Sequence, residues 1–402
     1  MWIAELSTRE RAALTATFAG WMLDGMDVMV YSFVLPTLIA VWHMTPGQAG
    51  ALGTSALLVS SVGGWLAGIA ADRFGRVKLL QLTIFWFAVF TFLSGFTNSF
   101  PQLLVVRGLQ GLGFGGEWAV GSVLIGETIR ARDRGKAVGT VQGGWAIGWG
   151  IAAIAYTLLF SVLPAQAAWR VMFWIGILPA LLVLYIQGRV TEPPIFAGKK
   201  AERAKILSIF GPDLLRTAAL ASLVALGAQG GYYAITTWLP LYLKNARGLS
   251  VVDTGSYLLV IIVGSFCGYI VGAALTDRIG RRYTLILFAA CSAVTAWSYT
   301  LLNTSNAAIL LLGFPLGFFA SGVFSPMGSF FTELFPTRVR ASGQGFCYNF
   351  GRAAGALFPT FVGVLSAHLS LAHAIGIFAV SAYILMIGAV VLLPETRGVE
   401  LA

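Results

Sequence analysis

Charge is what this chain of 402 residues has least of. Asp, Glu, Lys and Arg make up 10% of it, against 57% hydrophobic residues and a mean hydropathy of +0.82, a balance that water-soluble domains do not keep. Cysteine and histidine are scarce too, with 3 of each. Cys267, Cys291 and Cys347 stand at no metal-ligand or disulfide-framework spacing and read as packing residues. His43, His368 and His373 have no nucleophile or ligand pattern around them, which leaves an enzyme as the least supported class. No metal and no cofactor is expected. Acidic residues number 16 against 26 basic ones, giving a net charge of +10; its placement along the chain, described below, makes nucleic-acid binding an unneeded explanation.

What is present is hydrocarbon, in runs of roughly 20 residues, the length that crosses a bilayer core. In the first half they fall at about 14–41, 47–71, 79–97, 101–127, 135–160 and 169–189. In the second half they fall at about 216–243, 254–276, 284–302, 306–333, 341–366 and 371–393. The first run is too long for a signal peptide, carries Asp24 and Asp27, and has no small-residue cleavage site close behind it, so it reads as a retained helix. The expected fold is therefore an all-α integral membrane protein of twelve spanning helices.

The six-plus-six count is a duplication. Asp72-Arg73-Phe74-Gly75-Arg76 returns 205 residues later as Asp277-Arg278-Ile279-Gly280-Arg281. Glu127 with Arg134 recurs as Glu333 with Arg340, and Glu192 before Pro193 recurs as Glu395 after Pro394. Three landmarks at nearly one offset mark an internal repeat. The halves are expected at 1–190 and 216–402, joined by a linker over 191–215 whose Glu192-Pro193-Pro194 stops a helix and whose Lys199, Lys200, Arg203 and Lys205 hold it in the cytosol.

With both termini cytoplasmic, nearly all Lys and Arg fall on the inner side, the exceptions being Arg170, Lys244 and Arg247. That asymmetry is the usual one for short loops and predicts a multi-pass inner-membrane protein.

The loop Gly68-x3-Asp72-Arg73-x-Gly75-Arg76-x-Lys78 resembles the signature of the major facilitator superfamily. Arg107-Gly108-Leu109-Gln110-Gly111-Leu112-Gly113, Glu333-Leu334-Phe335-Pro336-Thr337-Arg338-x-Arg340 and Pro394-Glu395-Thr396-Arg397-Gly398 are similar to the same clan. Leu23-Asp24-Gly25-Met26-Asp27 and Gly113-Phe114-Gly115-Gly116-Glu117-Trp118 resemble its organic acid:proton symporter branches, those for aromatic acids, sialate and lactate. The resemblance implies two pseudo-symmetric six-helix bundles, transport by alternating access, the proton gradient as driving force, and small organic anions and protons as partners. Gly111-x-Gly113-x-x-Gly116 also fits the dinucleotide-binding pattern letter for letter, but lies within an apolar span with no strand before it. Gly111 and Gly115 instead form a small-xxx-small helix surface.

Ionisable residues at mid-membrane depth are costly and mark function. Asp24, Asp27 and Tyr31 share a face of the first helix. The resemblance implies that Asp27 faces Arg107 of the fourth helix, so that protonation loosens the pair and couples a proton to conformation; a permanent ion pair is the structural alternative. Asp24 and Glu117 are further titrating candidates, with a protonated packing role the alternative for Glu117. Arg352, with Asn349 one turn before it, is read as the anion clamp, since a guanidinium matches a carboxylate in two prongs; pairing with Glu117 or Asp24 is its alternative. Tyr31, Trp118, Gln142, Trp145 and Trp149 in the first half, with Gln229, Tyr232 and Tyr233 in the second, are expected around the ligand.

At the inner side, Asp72 and Asp277 are expected near helix N-termini. When the inner side is closed, Arg73, Arg76, Arg278 and Arg281 are expected to pair with Glu127 and Glu333 across the halves as a gate, with Arg134 and Arg340 beside them. The paired glutamine and tryptophan motifs of sugar carriers and the seventh-span signature of fungal lactate carriers are missing, which weakens sugar and lactate as cargo. The expectation is a monomeric, proton-coupled importer of a small organic carboxylate. Its alternatives are an efflux antiporter of amphipathic compounds, a sugar:proton symporter, and a non-transporting sensor.

Overall fold

The computed structural model describes residues 2–129, 134–192, 210–302, 304–335 and 340–397. Twelve spanning segments follow one another, and no strand occurs among the described residues. They are α1 (Thr8–Trp42), α2 (Pro46–Phe74), α3 (Arg76–Ser94), α4 (Phe100–Thr128), α5 (Arg134–Val162) and α6, which is broken into Ala165–Trp174 and Pro179–Arg189 by a 3-10 turn. The second series is α7 (Pro212–Leu241, ending in a π turn), α8 (Val251–Ile279), α9 (Arg281–Leu301), α10 (Asn306–Gly322 and Met327–Leu334), α11 (Arg340–Gly355 and Phe358–Leu365) and α12 (Leu371–Val391). The breaks in α10 and α11 come at Pro326 and before Pro359, where the missing N–H cannot continue the ladder.

Length, not amphipathicity, builds these helices. Large apolar side chains remain exposed along their outer faces, among them Val162 at 77% and Leu311 at 75%. Such surfaces suit lipid as solvent, and every backbone polar group is then best satisfied within its own helix. α1 starts earlier than its hydrophobic run because Ser7 and Glu10 form a reciprocal capping box.

The chain divides into two compact units, one of Met1–Thr45 with Ser55–Ala201, the other of Pro46–Thr54 with Glu202–Ala402. The division differs from the expected one in assigning the start of α2 to the second unit. Within the first unit α2 and α4 cross so closely that a Cβ on Gly115 would overlap the Ser60 carbonyl oxygen. Within the second, Gly317 of α10 meets the Ile261 carbonyl of α8 in the same way. Small residues at such crossings are what permit close helix approach in a membrane.

Two of the three cations that broke the charge asymmetry have a local task. Arg170 donates to the Gly95 and Thr97 carbonyls at 2.7 and 3.0 Å, beyond the end of α3. Arg247 donates to the Thr304 and Leu302 carbonyls at 3.0 and 3.2 Å, beyond the end of α9. A cation at a helix C-terminus satisfies its last carbonyls and its dipole.

Candidate functional site

Asp27 sits halfway along α1, 2% exposed, and Arg107 on α4 is 3% exposed. They lie close enough to feel one another's charge, yet the contact differs from the expected ion pair. The Asp27 carboxylate accepts from the Gln110 amide, which also donates to Thr91 Oγ1 at 2.9 Å. Arg107 instead lays its guanidinium over the Tyr31 ring, 4.3 Å from the centroid, a cation–π arrangement strengthened by burial. The reason is helical: Gln110 is one turn after Arg107 on the same face of α4, and the shorter amide fills the space between Asp27 and α3. Gln110 and Thr91 were not picked out from the sequence, because neutral residues give no signal there beyond that spacing.

The other first-unit candidates are placed as follows. Asp24 is fully buried on α1 and Glu117 is 1% exposed on α4. Gly20 leaves the room Glu117 needs, since a Cβ there would collide with Glu117 Oε1. Trp118 and Trp145 do come together, through a third ring: Trp21 lies 4.4 Å from Trp118 and 4.9 Å from Trp145, centroid to centroid. Gly25 makes this packing possible by admitting the Trp145 backbone against α1. Trp149 is buried and Gln142 half-buried on α5.

The second unit gathers its polar groups around Arg352, which is 2% exposed. Its guanidinium lies 5.3 Å from the Tyr348 ring centroid, and the Tyr233 hydroxyl is within hydrogen-bonding reach of it. Gln229 ties α7 to α11 by donating to the Tyr348 carbonyl at 2.9 Å and accepts from Tyr233 at 3.3 Å. Tyr232 packs edge-on against Tyr233 and Phe324. Tyr269 of α8, itself buried, closes the tyrosine cluster beside Tyr232, Tyr348 and Tyr233. Asn349 departs from expectation: its amide is spent on the Gly345 carbonyl of its own helix at 3.0 Å, and its neighbour Tyr348 takes the place beside Arg352. One residue along a helix rotates a side chain by about 100°, enough to exchange the two.

The charged end of the bundle also differs from the expected gate. Arg281 makes a two-pronged pair with Glu333, Nη2 to Oε1 at 3.0 Å and Nε to Oε2 at 3.0 Å, inside the second unit and not across the halves. Two further acids stand at the starts of α3 and α9. Glu192 accepts from the backbone N–H groups of Arg76 and Val77 at 2.9 Å each. Glu395 accepts from those of Arg281 and Arg282 at 2.9 and 3.1 Å. Arg76 and Arg281 each turn back on the carbonyl five residues earlier, Ala71 and Thr276. Arg278 is exposed. The side chains of Asp72, Arg73, Glu127, Arg134, Asp277 and Arg340 lie outside the described residues.

Twelve spanning helices in a duplicated order, with buried charges on α1, α4 and α11, define a membrane carrier. The sequence model of the Major Facilitator Superfamily matches residues 17–310 and 263–401, and the chain belongs to that superfamily of transporters. It is 46% identical over 406 residues to a probable 4-methylmuconolactone transporter of Cupriavidus pinatubonensis, covering 100% of this chain and 94% of that one. A cis,cis-muconate transport protein of Acinetobacter baylyi is 30% identical, covering 89% and 87%. Among solved structures, a D-xylose-proton symporter superposes with a TM-score of 0.75 at 21% identity, covering 97% and 99%, a likeness of fold.

Proposed function

We propose that the protein imports a small, unsaturated organic carboxylate together with protons by alternating access, with both termini in the cytosol of a bacterial inner membrane. The observation that carries this reading is Arg352, a permanent cation buried among Tyr233, Tyr348 and Gln229. A guanidinium held there offers planar paired donors to a carboxylate, and tyrosine rings around it suit a flat, conjugated body. Muconate is an unsaturated dicarboxylate and muconolactones are unsaturated lactone acids, so the chemistry the named relatives handle is the chemistry such a cluster recognises. Asp27 is the coupling acid. In its ionised form it is held by Gln110 and the field of Arg107; protonation removes the charge that Arg107 answers, and the two forms stabilise different packings of α1 on α4.

The test is uptake into proteoliposomes of radiolabelled 4-methylmuconolactone and cis,cis-muconate, with the outside acidic. The expected result is accumulation above the external concentration that a protonophore abolishes. Accumulation indifferent to the proton gradient, or flux only outward, overturns the reading.

A further inference from the structure

The coupling scheme uses the charges of Asp27 and Arg107 and assigns no task to the amide that touches the carboxylate. Building on that proton-coupled reading, we infer that Gln110 is the positioning residue of the coupling site, a neutral amide that donates to the same Asp27 oxygen in both charge states and so leaves the other, Oδ1, to take the proton.

Four elements face the Asp27 carboxyl: Arg107 and Gln110 from α4, Thr91 from α3, Gly176 from α6, and Tyr31 one turn on in α1. The Thr91 hydroxyl hydrogen is committed to the Phe87 carbonyl at 2.8 Å, so its oxygen must accept, and this fixes the amide with Nε2 toward Thr91 and Asp27. Two buried oxygens are then left without a hydrogen bond, Oδ1 of Asp27 and Oε1 of Gln110. The proton goes to Oδ1, the oxygen that no donor occupies, while Oδ2 becomes the carbonyl oxygen that still accepts from Nε2. The proton comes from water and ends on the carboxyl; no other bond is made or broken. A turned amide would set its oxygen against the Thr91 oxygen and leave its NH2 group without acceptors, which is unfavourable, so the amide keeps one orientation in both forms. Arg107, stacked on Tyr31, then senses only the change of charge.

Gln110→Met keeps the length and volume of the side chain and removes both donors and the acceptor. Infrared difference spectra of the protein in vesicles, stepped in pH, report the C=O stretch of protonated Asp27, assigned by its loss in Asp27→Asn. In Gln110→Met that band is expected to move to higher frequency, as in a carboxylic acid whose carbonyl oxygen accepts no hydrogen bond. The ratio of pH-driven accumulation to counterflow of cis,cis-muconate is expected to fall about tenfold or more, the scale of one hydrogen bond to a charged group. An unmoved band overturns the proposal. Should Gln110→Met fail to fold, Gln110→Glu keeps the shape and is expected to add a second carboxylic band coupled to that of Asp27; an Asp27 band like the wild type's also overturns it. The spectra need no substrate, so failure of the transport reading, seen as full accumulation by Asp27→Asn, is separate from failure of this one.

Discussion

A charged side chain in the interior of a membrane helix must find a partner, hydrate or lose its charge, and the buried ionisable residues described here differ in which of these they do. Arg107 and Arg352 are each laid over a tyrosine ring, while Asp27 rests on an amide. Asparagine at 27 keeps two polar atoms but cannot titrate. Asp27→Asn should therefore reduce accumulation of muconate to the external concentration while exchange across the membrane persists; retained uphill uptake would refute its coupling role. Lysine at 352 keeps the charge but loses the planar fork. Arg352→Lys should raise the half-saturating substrate concentration about tenfold, one charge-assisted hydrogen bond's worth, and unchanged transport kinetics would take the residue out of the site. Asp24, Asp27, Glu117, Arg107 and Arg352 were all legible in the sequence because charge is so rare in it. Gln110, Thr91, Tyr348 and Trp21 were not, since neutral and aromatic residues are common in membrane helices and only contact singles them out.

The two sharp loops between α2 and α3 and between α8 and α9 are built alike. Gly75 and Gly280 sit at φ of 107° and 103°, the left-handed side that disfavours a Cβ, and each glycine lies against the acid that caps the following helix, Glu192 or Glu395. Gly280→Ala would strain the backbone by about 1 to 2 kcal/mol and push Glu395 off the Arg281 and Arg282 N–H groups. A lower melting temperature in detergent, with Glu395→Ala giving a drop of similar sign from the lost cap at about 1 kcal/mol, is the expected outcome. An alanine variant as stable as the wild type would mean the loop does not depend on this geometry. At the α2–α4 crossing, Gly115→Val should push the backbones apart at a cost of about 1 to 3 kcal/mol or more, read as loss of folded protein on size-exclusion chromatography. The small-residue stripe and the Pro-Glu repeat were visible in the sequence; which acid caps which helix was not, because 116 residues separate Arg76 from Glu192.

At the scale of the whole chain, duplication of fold does not bring duplication of chemistry. An offset of 205 residues puts Gln229 in the register of Asp24 and Tyr232 in that of Asp27. The first unit thus carries titratable acids where the second carries neutral hydrogen-bonding groups. The second has its buried cation on α11, where the register of α5 offers Ile147. Under the proposed function this division places proton coupling in one half and anion recognition in the other, and predicts that substitutions separate accordingly: changes at Asp27 should alter the dependence of uptake on the proton gradient, and changes at Arg352 should alter affinity. Uptake curves measured with and without an imposed pH gradient distinguish the two, and a swap of these phenotypes would count against the division.

Composition, spacing and repetition alone determined that the chain crosses a membrane twelve times in two related halves, because hydrocarbon length and charge scarcity are properties a sequence carries without folding. Tertiary structure alone decided who holds whom: that Gln110 and not Arg107 meets Asp27, that Tyr348 and not Asn349 stands beside Arg352, and that Arg281 closes on Glu333 within its own unit. Those outcomes depend on helix rotation and on packing distances of an ångström or two, which hydrophobic periodicity does not encode when a helix is apolar on every side.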